Sequence, residues 1–290
     1  MMMKPSVAIA AVALLFVAGG SVQAAPKSAG CDRACLGHAM TAYLNAMAKH
    51  DPAAAPFAKD IRFTQDTKDL KLGEGLWSTV TGLGTYRVDI LDVRAGIAGA
   101  HVVVEDAGKP ALLAVRLKVV GRKIAEAETQ VAHSAEEGQM WAPETLTAEN
   151  PALTYKIKKS ERNTREEMVK ISDHYVTGLA AGSFVKVDAP FAEETTYRNE
   201  NGVFTAGPPC TRAPNCKNIK TQPSPTRFNF PDRVMAVDEQ KGIVWRRISW
   251  GRGNGVRLVA FELFKIYGGK MQAVEAFLRY EPLETTSGWG

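Results

Sequence analysis

The second half of this chain repeats the first, and this repeat limits the fold more than any other feature of the sequence. At a spacing of 146 residues, the anchors that coincide are Arg87 with Arg233, Asp92 with Asp238, Gly96 with Gly242 and Ile97 with Ile243. At a spacing of 132 residues further upstream, they are Leu36 with Met168, Tyr43 with Tyr175 and Met47 with Leu179. Because solenoid repeats are only about 20–50 residues long, a period of this length indicates two globular copies of one domain.

The spacing between equivalent residues is predicted to change along the chain. It is 134 before the first hairpin, where Phe63 falls on Tyr197. It is predicted to stay at 146 through the strand that contains Arg116, so that Arg116 falls on Glu262, and to become 147 in the turn that follows. Residues matched in this way are expected to lie on the same face of the two sheets, because side chains alternate between faces along a strand.

Each copy is predicted to open with an amphipathic helix and to continue with antiparallel hairpins. Asp32 caps the first helix, which ends near His50, and the capping box at residues 164–167 starts the second, which stops near Gly182. Strand patterns cover residues 86–93, 96–105, 111–120 and 123–132 in the first copy and residues 233–237, 242–250, 256–267 and 270–280 in the second. Because no helix separates successive strands, the predicted fold class is α+β and not a parallel α/β sheet.

The first 24 residues are predicted to be a signal peptide. Lys4 precedes an apolar stretch at residues 7–18 that is too short to span a bilayer, and Val22-Gln23-Ala24 offers the small residues of a cleavage site. An uncleaved N-terminal anchor is the alternative. The predicted organisation is a signal peptide at 1–24, a first domain at 25–133, a linker at 134–160 and a second domain at 161–290. The mature protein is expected to be periplasmic or secreted, with no membrane segment.

Export makes disulfides the expected state of Cys31, Cys35, Cys210 and Cys216. Three connectivities exist, and the two local pairs are favoured: Cys210–Cys216 would close a proline-rich loop, and Cys31–Cys35 would lie at a helix start. An i, i+4 bridge needs a distorted first turn. A zinc site is the alternative, but no histidine or second cysteine pair stands at zinc-finger spacing, so no metal is predicted.

Charge and motifs narrow the function classes. Lys and Arg number 36 against 31 Asp and Glu, a mild excess without a long basic run, so nucleic acid is not an expected partner. The sequence motifs of serine hydrolases, P-loop proteins, dinucleotide-binding proteins and zinc proteases do not occur. The glycine-rich run at residues 251–255 is interpreted as a hairpin turn rather than a phosphate cradle. No cofactor is predicted, and a small molecule is the expected ligand.

Two residues in the central strands are candidate catalytic groups. His101 lies in a strand whose alternate side chains face a core or a cavity, so it is either a proton carrier or a histidine with satisfied hydrogen bonds. Arg116 lies on the face of its strand opposite Leu113 and Leu117. An unpaired buried charge costs several kcal/mol, so Arg116 is expected to line a polar pocket or to form an ion pair with Glu262 across the two domains.

Irregular segments in both copies combine rings with charges. Trp77 and Tyr86 lie before the first hairpin of copy one, and Arg198 and Glu200 occupy the related region of copy two. Such combinations are typical of the mouth of a ligand cavity, because rings give apolar contact and a few charges fix orientation. The alternative places Trp77 and Tyr86 in the core and makes Arg198 and Glu200 a surface pair.

Taken together, these segments resemble the nuclear transport factor 2-like, or SnoaL-like, superfamily. The resemblance is carried by the helix with Tyr43, a short helical region reaching Phe57-Ala58-Lys59-Asp60, and hairpins that end at Glu128, with the same order repeated to Glu275. The segment Cys31-Asp32-Arg33-Ala34-Cys35-Leu36, with Arg198-x-Glu200-Asn201-Gly202, is similar to an exported subgroup that carries two such domains in one chain.

The resemblance implies two tandem cone-shaped α+β barrels, each a curved antiparallel sheet with helices, packed sheet to sheet as an intramolecular pseudo-dimer that is open to further homo-oligomerisation. It also implies a cofactor-independent lyase or isomerase acting on a bulky, mostly apolar aromatic or hydroxylated molecule, such as a lignin-derived aromatic dimer. In this hypothesis Tyr43, Trp77 and Tyr86 hold the ring, Arg116 stabilises an oxyanion and His101 moves the proton. A non-catalytic ligand-binding or scaffold protein is the alternative.

Overall fold

A computed structural model describes residues 30–223, 232–251, 255–285 and 289, together with the backbone of residues 228–229. The predicted signal peptide therefore lies outside the described residues, as do residues 252–254 of the glycine-rich run. None of the helices in these ranges has the length and apolar character needed to cross a membrane.

The two long helices begin and end where the sequence predicts. The α-helices in the described ranges are α1 (Arg33–Ala48), α2 (Leu76–Thr79), α3 (Ala135–Gly138), α4 (Pro151–Thr154) and α5 (Arg165–Ala181). The Asp32 side chain accepts a hydrogen bond from the Cys35 backbone N–H at 2.8 Å and caps α1. Thr164 and Glu167 form the predicted capping box of α5, and Gly182 ends that helix with a φ of 64°.

The strands form two sheets, which confirms the predicted α+β class. The strands are β1 (Phe57–Gln65), β2 (Lys68–Leu70), β3 (Val80–Asp92), β4 (Ile97–Asp106), β5 (Lys109–Val120), β6 (Lys123–Ala132), β7 (Tyr197–Glu200), β8 (Val203–Ala206), β9 (Phe228–Asn229), β10 (Arg233–Asp238), β11 (Ile243–Gly251), β12 (Val256–Tyr267) and β13 (Lys270–Pro282). The first sheet has the order β2-β1-β6-β5-β4-β3; the second has the order β10-β11-β12-β13-β7-β8, with β9 paired to β11. Below, α1 with the first sheet is called the first domain, and α5 with the second sheet the second domain.

Both sheets are mixed, so the predicted purely antiparallel sheets are wrong in one respect. Strand β1 runs parallel to β6, and β7 runs parallel to β13. The predicted helical region at residues 57–60 is the beginning of β1. Ala58, Lys59 and Asp60 interrupt the alternation of apolar and polar side chains there, so the strand pattern is weak in the sequence.

Apolar side chains of the two sheets pack against each other in a single buried cluster. It contains Tyr86, Val88, Ile90, Ile97, Leu112 and Ala114 of the first sheet and Met235, Ala236, Ile243, Trp245, Val259, Phe261, Leu263, Ala273 and Phe277 of the second. Leu146 and Leu153 of the predicted linker join the same cluster. A Cβ atom on Gly99 would lie 2.5 Å from the Trp245 ring, so close approach of the sheets requires glycine at this position.

Reciprocal ion pairs join each long helix to the opposite domain. Arg33 of α1 donates two hydrogen bonds to the Asp238 carboxylate, at 2.8 and 2.9 Å. Arg165 of α5 donates two to the Asp92 carboxylate, at 3.1 and 2.6 Å. Arg33 and Arg165 are 132 residues apart, and Asp92 and Asp238 are 146 apart, which are the repeat spacings. The two contacts are therefore related by an approximate twofold axis.

The same two carboxylates also bind backbone of the opposite domain. The Leu91 N–H donates to Asp238 at 2.9 Å, and the Val237 N–H donates to Asp92 at 2.8 Å. Leu91 and Val237 are again equivalent in the repeat. Both aspartates are buried, so each one satisfies an arginine and a backbone donor that have little access to water.

The strand pairing corrects the predicted register of the repeat by one residue. Ile97 pairs with Lys118 in the first sheet, and its equivalent Ile243 pairs with Lys265 in the second. The spacing is therefore already 147 in β5 and β12, because the extra residue lies in the connection between β4 and β5. Glu262 is thus equivalent to Val115 and not to Arg116. Because a shift of one residue reverses the face, Glu262 points toward α5 and Arg116 toward the opposite domain.

A second one-residue correction applies to β1 and β7. The Asp66 side chain accepts a hydrogen bond from the Val131 N–H at 2.9 Å, and the Asn201 side chain accepts one from the Leu278 N–H at 2.7 Å. Asp66 and Asn201 also share a left-handed conformation, with φ of 51° and 48°. These residues are 135 apart and not 134. At the corrected spacing of 135 residues, Arg198 of the second domain is equivalent to Phe63 of the first.

Neither domain is expected to be a stable monomer when it is expressed without the other. Separate expression of residues 25–142 and 143–290 would expose the shared apolar cluster and remove both reciprocal ion pairs. Interfaces of this kind bury about 1,600 Å² in total, which a single domain would leave in water. Gel filtration and denaturant titration of each half test this expectation. Two well-folded, monomeric halves that stay apart on mixing would contradict it.

Candidate functional site

The second domain contains a cavity of about 120 Å³ between α5, the second sheet and the segment that follows the first domain. Its lining residues are Gln139, Met140, Tyr175, Leu179, Phe184, Arg198, Glu200, Gln222, Pro223 and Trp250. An outer chamber of about 240 Å³ shares half of these residues and adds Thr205, Arg212, Ala213, Asn215 and Cys216. The inner cavity is lined by both apolar and polar side chains, which is the usual composition of a small-molecule site.

Local structure places the polar groups on one wall. Tyr175 projects from α5, on the same helix face as Met168 and Leu179. Arg198 and Glu200 are two residues apart in β7, so both side chains lie on the same face of the sheet. The Arg198 guanidinium donates to the Thr205 hydroxyl at 2.7 Å and to the Gln222 side-chain oxygen at 2.6 Å.

Polar side chains follow one another from the cavity wall into the protein. The Tyr175 hydroxyl interacts electrostatically with the Arg198 guanidinium on the wall and with the Glu262 carboxyl group behind it. The Glu200 carboxylate lies 3.7 Å from Arg198 Nε and keeps 14% of its side chain exposed. Glu200 is therefore the carboxylate that a molecule in the cavity can reach.

Glu262 has the environment of a carboxyl group that stays protonated. It is 1% exposed, and its Oε2 atom has no hydrogen-bond partner among the described residues. Burial and the nearby charge of Glu200 raise the pKa of Glu262 to about 8. Burial also raises the pKa of Tyr175 well above its usual value. At neutral pH the wall therefore offers a phenol and a guanidinium as donors and Glu200 as an acceptor.

The equivalent space in the first domain is filled by side chains. Trp77 is 1% exposed, and its indole N–H donates to the hydroxyl of Tyr43, the counterpart of Tyr175, at 3.1 Å. Phe63 and Val115 occupy the positions of Arg198 and Glu262. These residues belong to a continuous apolar core under α1. The second domain therefore has charged groups, Arg198 and Glu262, at two interior positions where the first domain has apolar packing.

The structure places Tyr86 and His101 at the interface of the two sheets, away from the cavity. The Tyr86 hydroxyl donates to Glu275, and His101 Nδ1 lies 3.0 Å from the other oxygen of that carboxylate. The Trp245 indole N–H donates to His101 Nε2 at 3.1 Å, so Nε2 accepts and Nδ1 carries the proton. Phe277 stacks on the imidazole at 4.2 Å. His101 is fully buried with both nitrogens engaged, which is the geometry of a structural histidine.

The predicted ion pair between Arg116 and Glu262 is wrong. Arg116 lies 2.9 Å from Glu126 and 3.9 Å from Glu128, and Glu128 also accepts hydrogen bonds at 2.6 Å from Arg233 of the second domain. The error follows from the one-residue register shift in β5, which placed Glu262 on the wrong face of its strand. Arg116 therefore belongs to the interface between the domains and does not reach the cavity.

Of the residues predicted from the sequence to hold or convert a ligand, only Arg198 and Glu200 line the cavity. Tyr43 and Trp77 lie in the first core, and Tyr86, His101 and Arg116 lie between the domains. Sequence reasoning missed the roles of Tyr175 and Glu262. Two signals identify them: Tyr175 repeats Tyr43, and Glu262 is an acid within the otherwise apolar run of β12.

Both predicted disulfides are present, Cys31–Cys35 and Cys210–Cys216. Cys216 contacts the outer chamber, and the loop that its disulfide closes carries Arg212 to the same chamber. Within the described ranges, no group of three His, Cys, Asp or Glu side chains is arranged to hold a metal ion.

Residues 161–278 match a family described as a domain of unknown function (DUF8021). The match coincides with the second domain and includes Tyr175, Arg198, Glu200 and Glu262. No curated protein matches this chain.

Proposed function

We propose that the second domain is a cofactor-independent lyase or isomerase that works by general acid–base catalysis on a small molecule. The observation that supports this most is the arrangement of Glu200, Arg198 and Tyr175 on one wall of a cavity, with Glu262 buried behind them. An accessible carboxylate beside two hydrogen-bond donors is the set of groups needed to remove a proton from carbon next to a carbonyl group.

Each residue has a defined role in the proposed reaction. Glu200 takes the proton from the substrate carbon, and the electron pair of the broken C–H bond moves toward the carbonyl oxygen. Arg198 and Tyr175 donate hydrogen bonds to the enolate oxygen that forms. In an isomerase, Glu200 returns the proton to a different carbon. In a lyase, a group on the neighbouring carbon leaves with the electron pair and takes up the proton.

Glu262 acts through Tyr175 in this proposal. Its carboxyl group is neutral below a pH of about 8 and accepts the phenolic hydrogen bond, which fixes the orientation of the hydroxyl. Glu262 is therefore a positioning residue, because it does not line the cavity.

The cavity volume limits the substrate. An engineered protein cavity of about 150 Å³ holds one benzene molecule, so the inner cavity of about 120 Å³ suits a single six-membered ring or an equivalent group. The remainder of a larger substrate would extend into the outer chamber of about 240 Å³. A lignin-derived aromatic dimer would place one ring in each space.

We extend the proposal to the fold family and the location. A long helix packed across a mixed sheet in each domain supports the cone-shaped barrels of the nuclear transport factor 2-like superfamily. Two disulfides support an exported protein, either periplasmic or secreted.

Deuterium exchange tests the proposed chemistry directly. The protein is incubated in D2O with a panel of one-ring aryl ketones and β-hydroxy ketones, and NMR follows both loss of the α-hydrogen signal and new products. A substrate found in this way is expected to react at least about 100-fold more slowly with Glu200→Gln, because the base is lost while the shape is kept. Binding without exchange or product across the panel would favour a non-catalytic ligand-binding protein.

A further inference from the structure

A second cavity, of about 570 Å³, lies between the linker and both domains. Residues 149–162, from the linker and the short segment before α5, form one side of it, and the turn between β10 and β11 forms the other, with Gln240 and Lys241. Arg33 of α1 and Lys265 of β12 complete the lining. We propose that this cleft, called the linker cleft below, binds a small organic polyanion carrying two or more carboxylate or phosphate groups.

The charges that line the linker cleft are strongly unequal. Its cationic residues are Arg33, Lys156, Arg162, Lys241 and Lys265, and its one acidic residue is Glu149. Burial raises the pKa of Glu149, and the nearby Lys241 ammonium group opposes this shift. One acidic side chain stands against five cationic ones in the lining.

Two of the five cations are already engaged. Arg33 is paired with Asp238. The Lys265 ammonium group donates to the carbonyl oxygens of Leu153, Tyr155 and Lys241, at 3.2, 3.0 and 2.7 Å, which uses all three of its hydrogens. These two residues therefore hold the walls of the cleft in place, and Lys265 adds positive potential without a free donor.

Three cations keep free donors that face the cleft. Lys241 makes one hydrogen bond, to the Asp89 carbonyl oxygen at 2.9 Å, and has two hydrogens left. Lys156 and Arg162 are exposed and make no hydrogen bond or ion pair within the described part of the chain. A bound polyanion would complete the hydrogen bonding of all three, and the planar guanidinium of Arg162 suits carboxylate and phosphate groups.

The size and the apolar lining favour an organic ligand over a simple inorganic ion. Leu153, Tyr155 and Ile157 contribute apolar surface between the cations. Ligand sites in proteins commonly range from about 300 to 1,000 Å³, and the linker cleft falls within that range. Because its walls come from the linker and both domains, a bound anion would stabilise their packing against each other.

Isothermal titration calorimetry with citrate tests this proposal, with sodium chloride added to keep the ionic strength constant. Citrate is expected to bind the full protein and to raise its melting temperature, and inorganic pyrophosphate serves as a second anionic probe. The double variant Lys156→Gln/Arg162→Gln is expected to lose at least about 10-fold in citrate affinity, since two charge-assisted contacts disappear. Both side chains are exposed, so the variant is expected to fold normally.

The matched control is Lys109→Gln/Lys123→Gln, which removes the same charge from exposed positions far from the cleft in the sequence. It is expected to bind citrate like the wild type. Equal losses in both double variants would show a general charge effect and overturn the proposal. The proposal would also be overturned if neither citrate nor pyrophosphate showed saturable binding. Neither variant touches the cavity of the second domain, so these outcomes are independent of the proposed catalytic function.

Discussion

Asp238→Ala is expected to lower the free energy of unfolding by about 3–5 kcal/mol, which is the usual cost of breaking a buried ion pair. The substitution leaves the Arg33 guanidinium and the Leu91 backbone N–H without their acceptor at the domain interface. Denaturant titration at pH 7 measures the effect. Asp69→Ala is the control, because Asp69 is 75% exposed and its pair with Arg62 should contribute less than about 1 kcal/mol.

The approximate twofold axis predicts a matching result for Asp92→Ala. That variant removes the acceptor of Arg165 and of the Val237 N–H, which are the repeat equivalents of Arg33 and Leu91. Its loss of stability is expected to agree with that of Asp238→Ala within about 1 kcal/mol. A loss no larger than that of the exposed control at either position would contradict the proposed role of these contacts in joining the domains.

Relative to the wild type, the Glu262→Gln variant is expected to be more stable at pH 8 than at pH 4. In the native wild type, Glu262 keeps its proton up to a pH of about 8, whereas in the unfolded chain it releases the proton near its ordinary pKa of 4.5. Between these values the native state binds more protons, so the stability of the wild type falls as pH rises. The glutamine variant does not titrate and lacks this fall.

The expected difference reaches several kcal/mol at pH 8, since each unit between the two pKa values corresponds to about 1.4 kcal/mol. Urea titrations of the wild type and Glu262→Gln at pH 4, 6 and 8 measure it. Parallel stability profiles for the two proteins across this range would show that Glu262 is not held neutral in the folded protein.

Local signals explain what the sequence predicts correctly. Asp32 and the Thr164–Glu167 box define the starts of α1 and α5, because capping depends only on residues within one turn. The disulfides follow from short cysteine spacings combined with the predicted export of the chain. The alternation in β5 separates Leu113 and Leu117 from Arg116 correctly.

The alignment of β5 with β12 in the repeat was harder to predict, because these central strands are buried on both faces. In β5 and β12 the apolar runs around Leu113 and Ala260 have no clear polar side, so a spacing of 146 or 147 aligns them almost equally well. The structure decides between these spacings through strand pairing, because Lys118 is opposite Ile97 and Lys265 is opposite Ile243. That single residue determines whether Glu262 is placed on the face toward the opposite domain or on the face toward α5.

The candidate site was only partly predictable for a related reason. Arg198 and Glu200 stand out locally, because two charges at strand spacing come directly before a turn. Tyr175 lines the cavity and Glu262 lies behind it, but they come from a helix and a strand that are far apart in the chain, and no local pattern joins them. His101 attracts attention as a lone histidine in a strand, yet a Trp, a Glu and a Phe from the other domain satisfy and cover it.

The central claim is that the second domain carries the chemistry while the interior of the first is filled. Deuterium exchange into a substrate identified by the ketone panel tests it most directly when Tyr175→Phe is compared with its repeat counterpart Tyr43→Phe. Tyr175→Phe is expected to lower the exchange rate by about 100-fold, because an oxyanion donor is lost, whereas Tyr43→Phe should leave the rate within about twofold of the wild type. Equal rates for the two variants, or a larger loss with Tyr43→Phe, would contradict the account.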